Sequence, residues 1–434
     1  MLEILKNRTY RHLFLAQVVA LLGTGLATVA LSLLAFDLAG DKAGQVVGTA
    51  MAIKMVAYVF IAPIAAALAE NIPRRVMLVS LDLVRAAVAL ALPFVTEVWE
   101  VYVLIAVLQS ASAAFTPTFQ STIPDTLPNE DDYTRALSLS RLAYDLENLI
   151  SPALAGMLLL VTSWQGLFSG TVVGFIASAL LVVSVALPSG SAPEKRRGIY
   201  ERSRRGFRIF MATPRLRGLI ALNVVVSMAG SMVIVNTVVI VQGGFGLTDQ
   251  HTAMAFAAFG AGSMLAALAL PALLKRWKDR SVMLAGAWVL LGGLGAAWFA
   301  DSLYMLMPVW ALLGVGFSTV QTPIGRLLTQ SSHGEDRPAL FAAQFSLSHA
   351  GWLIAYPLAG WLGSSAGIQP TLMVLAVLGL VFLIAASRLW PADDPLVIAH
   401  SHHDLPRDHP HRTESGAEHS HRYVIDELHP RWPG

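Results

Sequence analysis

Cysteine is absent from this 434-residue chain, and charge is scarce. The first absence excludes disulfides, thiolate metal centres and cysteine nucleophiles, so any bound metal must be held by nitrogen, oxygen or thioether sulfur. The second is a matter of degree. Asp, Glu, Lys and Arg make up 13% of residues, about half the share of an average soluble domain. Nucleotide-binding P-loops, zinc-protease helices and Ser/His/Asp motifs are missing as well, so the chain reads as a non-enzyme with no cofactor of its own. A net charge of +2 gives no reason to expect a nucleic-acid partner.

Apolar residues are what the chain has in abundance, with a mean hydropathy of +0.60. They recur in runs near the ~20 residues that a helix needs to cross a bilayer. Twelve spans are expected, near 13–37, 45–69, 76–96, 99–123, 135–161, 165–187, 217–242, 252–274, 281–300, 303–325, 338–362 and 368–389. The first run starts near Leu13 and lacks the short apolar core and small-residue cleavage site of a signal peptide, so it reads as a span. The expected fold is an all-α membrane protein of twelve helices in two six-helix halves, 1–187 and 217–390. A basic linker joins them at 188–216, and a tail follows at 391–434.

The basic residues give the orientation. Lys6, Arg8 and Arg11 precede the first span, Arg74 and Arg75 lie between the second and third, and Lys195, Arg196, Arg197, Arg202, Arg204, Arg205 and Arg208 crowd the linker. Lys275, Arg276, Lys278, Arg280, Arg326 and Arg337 fall in later loops of the same set, whereas the alternate loops hold one lysine, Lys42. Positive charge marks the cytosolic side. Both termini are therefore expected in the cytosol of a bacterial cell, with the chain multi-pass in its inner membrane.

Six spans, a basic linker and six more spans is a layout similar to the major facilitator superfamily. The stretch "ALAENIPRRVMLVSLDLVRA" resembles that superfamily's loop between the second and third spans. By that resemblance Glu70, Arg74, Arg75, Asp82 and Arg85 form a cytosolic gate; Glu70 stands where the superfamily usually has aspartate, and alanine replaces its leading glycine. The stretch "AFTPTFQSTIPDTLPNEDDYTRALSLSRLAYDLENLISPALAGMLL" resembles the enterobactin-exporter-like branch. Within that branch, the bacterial nickel-resistance exporters end in a histidine-rich cytosolic tail, and this chain resembles them there too. The resemblance implies alternating access around a midplane site by a single chain, with the bilayer, protons and a divalent metal as partners.

Eight of the twelve histidines lie in the tail: His400, His402, His403, His409, His411, His419, His421 and His429. Imidazole is mostly neutral near pH 7 and suits Ni, Zn, Cu and Co. The H-x-H pairs are spaced and mixed with Asp404, Asp408, Glu414 and Glu418, unlike an affinity tag. Pro406, Pro410 and Gly416 discourage a helix, so a segment without fixed structure is expected in the metal-free chain.

Ionisable groups inside spans are costly and so mark sites. In the fifth span Asp145 and Glu147 point about 160° apart, so only one faces a cavity squarely, and the sequence leaves open which. Arg141 and Asp145 are spaced to neutralise each other. Asn148 shares the Asp145 face. In the eleventh span His349, with Gln344 nearby, is either a packing residue or a binding and proton-coupling group. Lys54 in the second span would repel a bare dication. It pairs with Asp37, Asp145 or Glu147, or snorkels outward.

With no nucleotide site, the expected activity is secondary active export of Ni2+, then Co2+, by proton antiport, giving metal resistance. Moving a dication out against 100 mV costs about 2 × 2.3 kcal/mol, which two entering protons offset. An exporter of an organic or metal-chelating molecule, such as a siderophore or drug, is the alternative. A membrane-anchored metal sensor or buffer is a further one.

Overall fold

In hydrocarbon every backbone N–H and C=O must find its partner within the chain, which leaves helices as the solution for apolar runs of this length. The computed structural model describes the chain apart from positions 1, 69–71, 128, 130–131, 133–134, 137–138, 141–142, 144–146, 148–149, 152–153, 188–198, 334–335, 396, 402–417, 427 and 434. The helices are α1 (Arg8–Ala39), α2 (Ala43–Leu68), α3 (Arg74–Ala91), α4 (Val98–Thr126), α5 (Trp164–Val183), α6 (Ile199–Ala212), α7 (Pro214–Val238), α8 (Asp249–Leu273), α9 (Asp279–Ala297), α10 (Leu303–Gln321), α11 (Ile324–Gln330), α12 (Arg337–Ala366) and α13 (Ile368–Leu389). Two strands follow, β1 (Val397–Ser401) and β2 (Glu418–Arg422).

All expected spans except the fifth coincide with one of these helices; 135–161 falls in large part on positions outside the described residues. Among the described residues nine helical segments are long and apolar enough to cross a membrane, the α1–α2 run counting as one. α12 is 30 residues long but is not among them, because Gln344, Ser346, Ser348 and His349 dilute it.

Helix pairs are held by small residues and short polar contacts, as lipid supplies no hydrophobic drive between them. The Thr171 hydroxyl on α5 donates to the Gly23 carbonyl on α1 at 2.9 Å. The Trp310 indole on α10 donates to the Thr237 hydroxyl on α7 at 2.8 Å, both groups buried. α1 packs on α5, α2 on α4, and α3 on both α4 and α5. α7 packs on α12 and α13, α8 on α10, and α9 on α10 and α13. The two sets meet chiefly through α2 and α12, with smaller contacts of α1 and α2 on α7.

Two segments differ from expectation. The linker contains α6, whose Ile209 and Phe210 are buried, and a Cβ on its Gly206 would lie 2.2 Å from the Ala339 carbonyl of α12. Its sequence, IYERSRRGFRIFMA, spaces aromatic and aliphatic residues on one helical face, which its many arginines obscure. In the tail, expected to lack fixed structure, the described ends 397–401 and 418–422 pair as antiparallel strands, with Val397 facing Arg422 and His400 facing His419, and 402–417 lie outside the described residues. The second strand is followed by buried Tyr423, Val424 and Ile425. The VIA and YVI runs that flank the histidine-rich stretch favour extended backbone, and Tyr423, Val424 and Ile425 bury apolar surface as well.

Candidate functional site

Near the middle of the bundle α1, α2, α12 and the 135–161 segment converge. A Cβ on Gly25 of α1 would lie 2.0 Å from the Ser151 hydroxyl and 3.4 Å from Glu147 Oε1. Glycine at position 25 is therefore what lets this segment approach α1 with its carboxylate turned inward. Glu147 interacts electrostatically with the Lys54 ammonium of α2 and with the buried Tyr356 phenol of α12. Of the two described residues open to Lys54 as partners, Asp37 and Glu147, it is Glu147 that interacts with it. Asp145, Asn148 and Arg141 lie outside the described residues.

α12 presents an aromatic stripe to α2. The His349 ring stacks on Tyr58, with centroids 5.6 Å apart at 15°, and meets Phe345 at 3.9 Å. Its Nδ1 lies 2.6 Å from the Phe345 carbonyl, so that nitrogen carries the proton. Trp352 and Tyr356 continue the stripe with centroids 4.9 Å apart. Tyr58 stands one turn beyond Lys54, so charge and aromatic surface share one face of α2. Gln344 is buried on the same helix, and its side-chain oxygen finds no hydrogen-bond partner among the described residues.

At the end of α2 remote from the tail the two sets press backbone to backbone. A Cβ on Gly48 would lie 2.6 Å from the Tyr356 carbonyl, and one on Gly360 would lie 2.2 Å from the Gly44 carbonyl. The Trp361 indole donates to the Thr49 hydroxyl at 3.2 Å beside this contact. The neutral polar residues take packing positions. The Ser140 hydroxyl donates to Gln17 at 3.0 Å, and Asn236 donates to the Ala359 carbonyl at 3.1 Å.

Of the gate residues, Arg74, Arg75, Asp82 and Arg85 are described. Asp82 and Arg85 are buried and pair with each other on α3. Ser178 of α5 donates to Asp82 at 2.7 Å, and the guanidinium lies 4.2 Å from the Phe115 centroid and 4.5 Å from that of Phe175. Arg75 instead donates to the Val183 carbonyl at the end of α5. Arg74 begins α3, and Glu70 lies outside the described residues.

In the tail, His400, His421 and His429 come together: one ring nitrogen of each lies within 4.8 Å of the other two. His402, His403, His409 and His411 lie outside the described residues. The backbone of His419 is in β2. The tail is tied to the membrane helices by polar contacts that sequence spacing did not reveal. Arg422 donates to the Gln330 and Thr329 carbonyls at 3.2 and 2.9 Å. Buried Arg215 at the start of α7 pairs with Asp394 at 3.7 Å and lies 5.0 Å from the Trp432 ring. Asp394 also accepts from the Trp390 indole at 2.9 Å. Arg280 donates to the Trp390 and Ser387 carbonyls at 2.7 and 3.0 Å.

The sequence profile of the Major Facilitator Superfamily matches residues 13–233 and 219–409. An uncharacterized MFS-type transporter of Bacillus subtilis (strain 168), YfiS, is 23% identical over 346 residues, which are 75% of this chain and 81% of that protein. Among solved structures, the fold is similar to a bacterial homolog of the human lysosomal transporter Spinster in an inward-facing, unoccupied conformation. There the TM-score is 0.67 and the identity 13%, over 89% of this chain and 98% of that one. It is also similar to the nucleoside transporter NupG, with a TM-score of 0.65 and 13% identity over 88% of this chain and 98% of that one. For the human organic anion transporter TETRAN the TM-score is 0.61 and the identity 12%, over 88% of this chain and 99% of that one. At these identities the likeness is one of fold.

Proposed function

The chain belongs to the Major Facilitator Superfamily, and from that premise we propose that it is a proton-coupled exporter of divalent metal, nickel first and cobalt second, carried as a complex with an anionic organic ligand. It is a multi-pass membrane transporter of that superfamily's type. The bacterial inner membrane, the outward direction, the proton and the cargo are the proposed parts.

The observation that carries the reading is that Glu147 interacts electrostatically with both Lys54 of α2 and Tyr356 of α12, where the two helix sets meet. A bare dication would be drawn to Glu147 and repelled by Lys54. A metal–ligand complex offers both signs: its metal centre faces Glu147 and its carboxylates face Lys54. A proton arriving on Glu147 removes the first contact and releases the cargo, which is antiport. The tight Gly48–Tyr356 and Gly360–Gly44 contacts support a form closed at the end remote from the tail. By the positive-inside rule that end faces outward.

The test is flux of radioactive nickel into inside-out vesicles, with and without citrate or histidine. Uptake that needs the organic ligand and vanishes in Glu147→Gln supports the reading. Uptake of the bare ion at equal rate, or full activity in Glu147→Gln, refutes it. The aromatic stripe of Phe345, His349, Trp352 and Tyr356 favours a second reading, an exporter of a metal-free organic molecule such as a siderophore or drug. That reading takes over if aromatic organic cargo moves and nickel does not.

A further inference from the structure

The tail places three imidazoles with a common constraint. His400 Nδ1 lies 3.0 Å from the Ile398 carbonyl, His421 Nδ1 lies 2.8 Å from the Arg422 carbonyl, and His429 Nδ1 lies 2.8 Å from Asp426 Oδ1. A carbonyl or carboxylate oxygen accepts and does not donate, so each Nδ1 carries the hydrogen. In the neutral ring the lone pair then sits on Nε2. Yet His400 Nε2 and His429 Nε2 stand 3.0 Å apart. Two lone pairs at that distance repel unless something positive lies between them. Nitrogens on a tetrahedral ion with ~2.0–2.1 Å bonds sit about 3.3 Å from one another.

The three rings stand edge to face around one point. Centroids are 4.6 Å apart for His400 and His421, 4.9 Å for His400 and His429, and 5.1 Å for His421 and His429. His429 is buried, while His400 and His421 keep partial exposure, which leaves an entry path for an ion. Tyr423 walls the other side, 5.0 Å from His400 and 4.8 Å from His429 between centroids. Asp426 supplies the carboxylate that a ligating histidine usually has behind it. It accepts from the Leu428 and His429 amides at 2.8 and 2.7 Å and also lies 3.3 Å from His333, on the loop before α12.

We propose that His400, His421 and His429 form a fixed divalent-cation site, with Asp426 as the positioning residue for His429, and that a cation there clasps the strand pair to the loop before α12. Three imidazoles leave a fourth position for water or a passing ligand and select borderline cations of the Zn, Ni, Co and Cu(II) class over Mg or Ca. The site lies in the tail, outside the membrane helices, and holds whatever the transport cargo is. It singles out three of the eight tail histidines.

The experiment uses the full-length protein purified in detergent. Zn2+ and Ni2+ are titrated calorimetrically, and Co2+ is followed by its visible absorption. One cation per chain is expected, with Co2+ giving a tetrahedral spectrum. His400→Ala, His421→Ala and His429→Ala should each weaken it at least 100-fold, and Asp426→Asn by about 10–100-fold. The thermal midpoint of the Asp426→Asn protein without metal should match that of the unaltered chain, while its rise on adding metal shrinks; a structural role alone would lower the metal-free midpoint instead. His409→Ala with His411→Ala should change nothing. The proposal is overturned if no cation binds, in which case the close nitrogens share a proton. It is also overturned if His409 and His411 matter as much as His429. Neither outcome touches the transport reading, which vesicle flux decides.

Discussion

Glu147 interacts electrostatically with Lys54 in its own half of the molecule and with Tyr356 in the other. One carboxylate thus senses both a fixed positive charge and the position of α12. Removing either charge alone leaves the other without the opposite charge it interacts with, which destabilises a partly buried group. Glu147→Gln and Lys54→Met are each expected to lower the thermal midpoint in detergent, and the double substitution to lower it less than their sum. Additive losses in that double-mutant cycle would show that the pair is not coupled.

The Gly360–Gly44 contact leaves no room for a side chain. Gly360→Leu should therefore hold the halves apart at that end and stop transport while the protein still reaches the membrane. The natural absence of cysteine makes the complementary trap clean. Thr49→Cys with Trp361→Cys, bridged by a short thiol-reactive cross-linker, should lock this end shut and abolish flux, and a cleavable linker should restore it on reduction. Normal flux in the cross-linked protein would mean that the two ends do not separate during the cycle.

Arg215 has 1% side-chain exposure, and Asp394 is its ion-pair partner. Cutting the chain after Pro391 removes both Asp394 and Trp432, so this truncation injures the membrane domain as well as deleting histidines. A fall in thermal midpoint equivalent to about 3 kcal/mol is expected for the truncation. Asp394→Asn should reproduce a large part of it, and Arg215→Met with the truncation should recover some. A truncated protein as stable as the full chain would show that the tail contributes nothing to the fold.

The linker helix is clipped to the start of α12 by Arg205 and Asp336, which meet at 3.0 Å through the terminal guanidinium nitrogen. Asp336 has only 5% side-chain exposure. Asp336→Asn should loosen α6, and brief trypsin treatment should then cut faster between Arg202 and Arg208. An unchanged cleavage rate would assign the hold on α6 to Ile209, Phe210 and the Gly206–Ala339 contact alone.

The spans were legible because each needs about twenty apolar residues, and nothing else in the chain imitates that. The linker helix was hidden by its arginines, although Ile209 and Phe210 are buried on it. The strands at the ends of the tail were hidden for a related reason: proline and charge at its centre outweighed the short VIA and YVI runs beside them. At the site, helical spacing separated Asp145 from Glu147 but did not say which faced inward. The approach of Glu147 to Gly25 on α1 is a contact across some 120 residues, which leaves no mark in local periodicity. Asp82 and Arg85 were legible as a functional-looking pair, but not their enclosure by Ser178, Phe115 and Phe175.

The central claim is exchange of cargo for protons at Glu147. Its most direct test is a pH-sensitive dye trapped in inside-out vesicles with an acidic lumen, to which nickel is added with citrate or histidine. The account predicts that the complex collapses the pH gradient in vesicles carrying the unaltered protein and leaves it intact in those carrying Glu147→Gln. Nickel entering while the gradient stands, or equal collapse in both proteins, would contradict it.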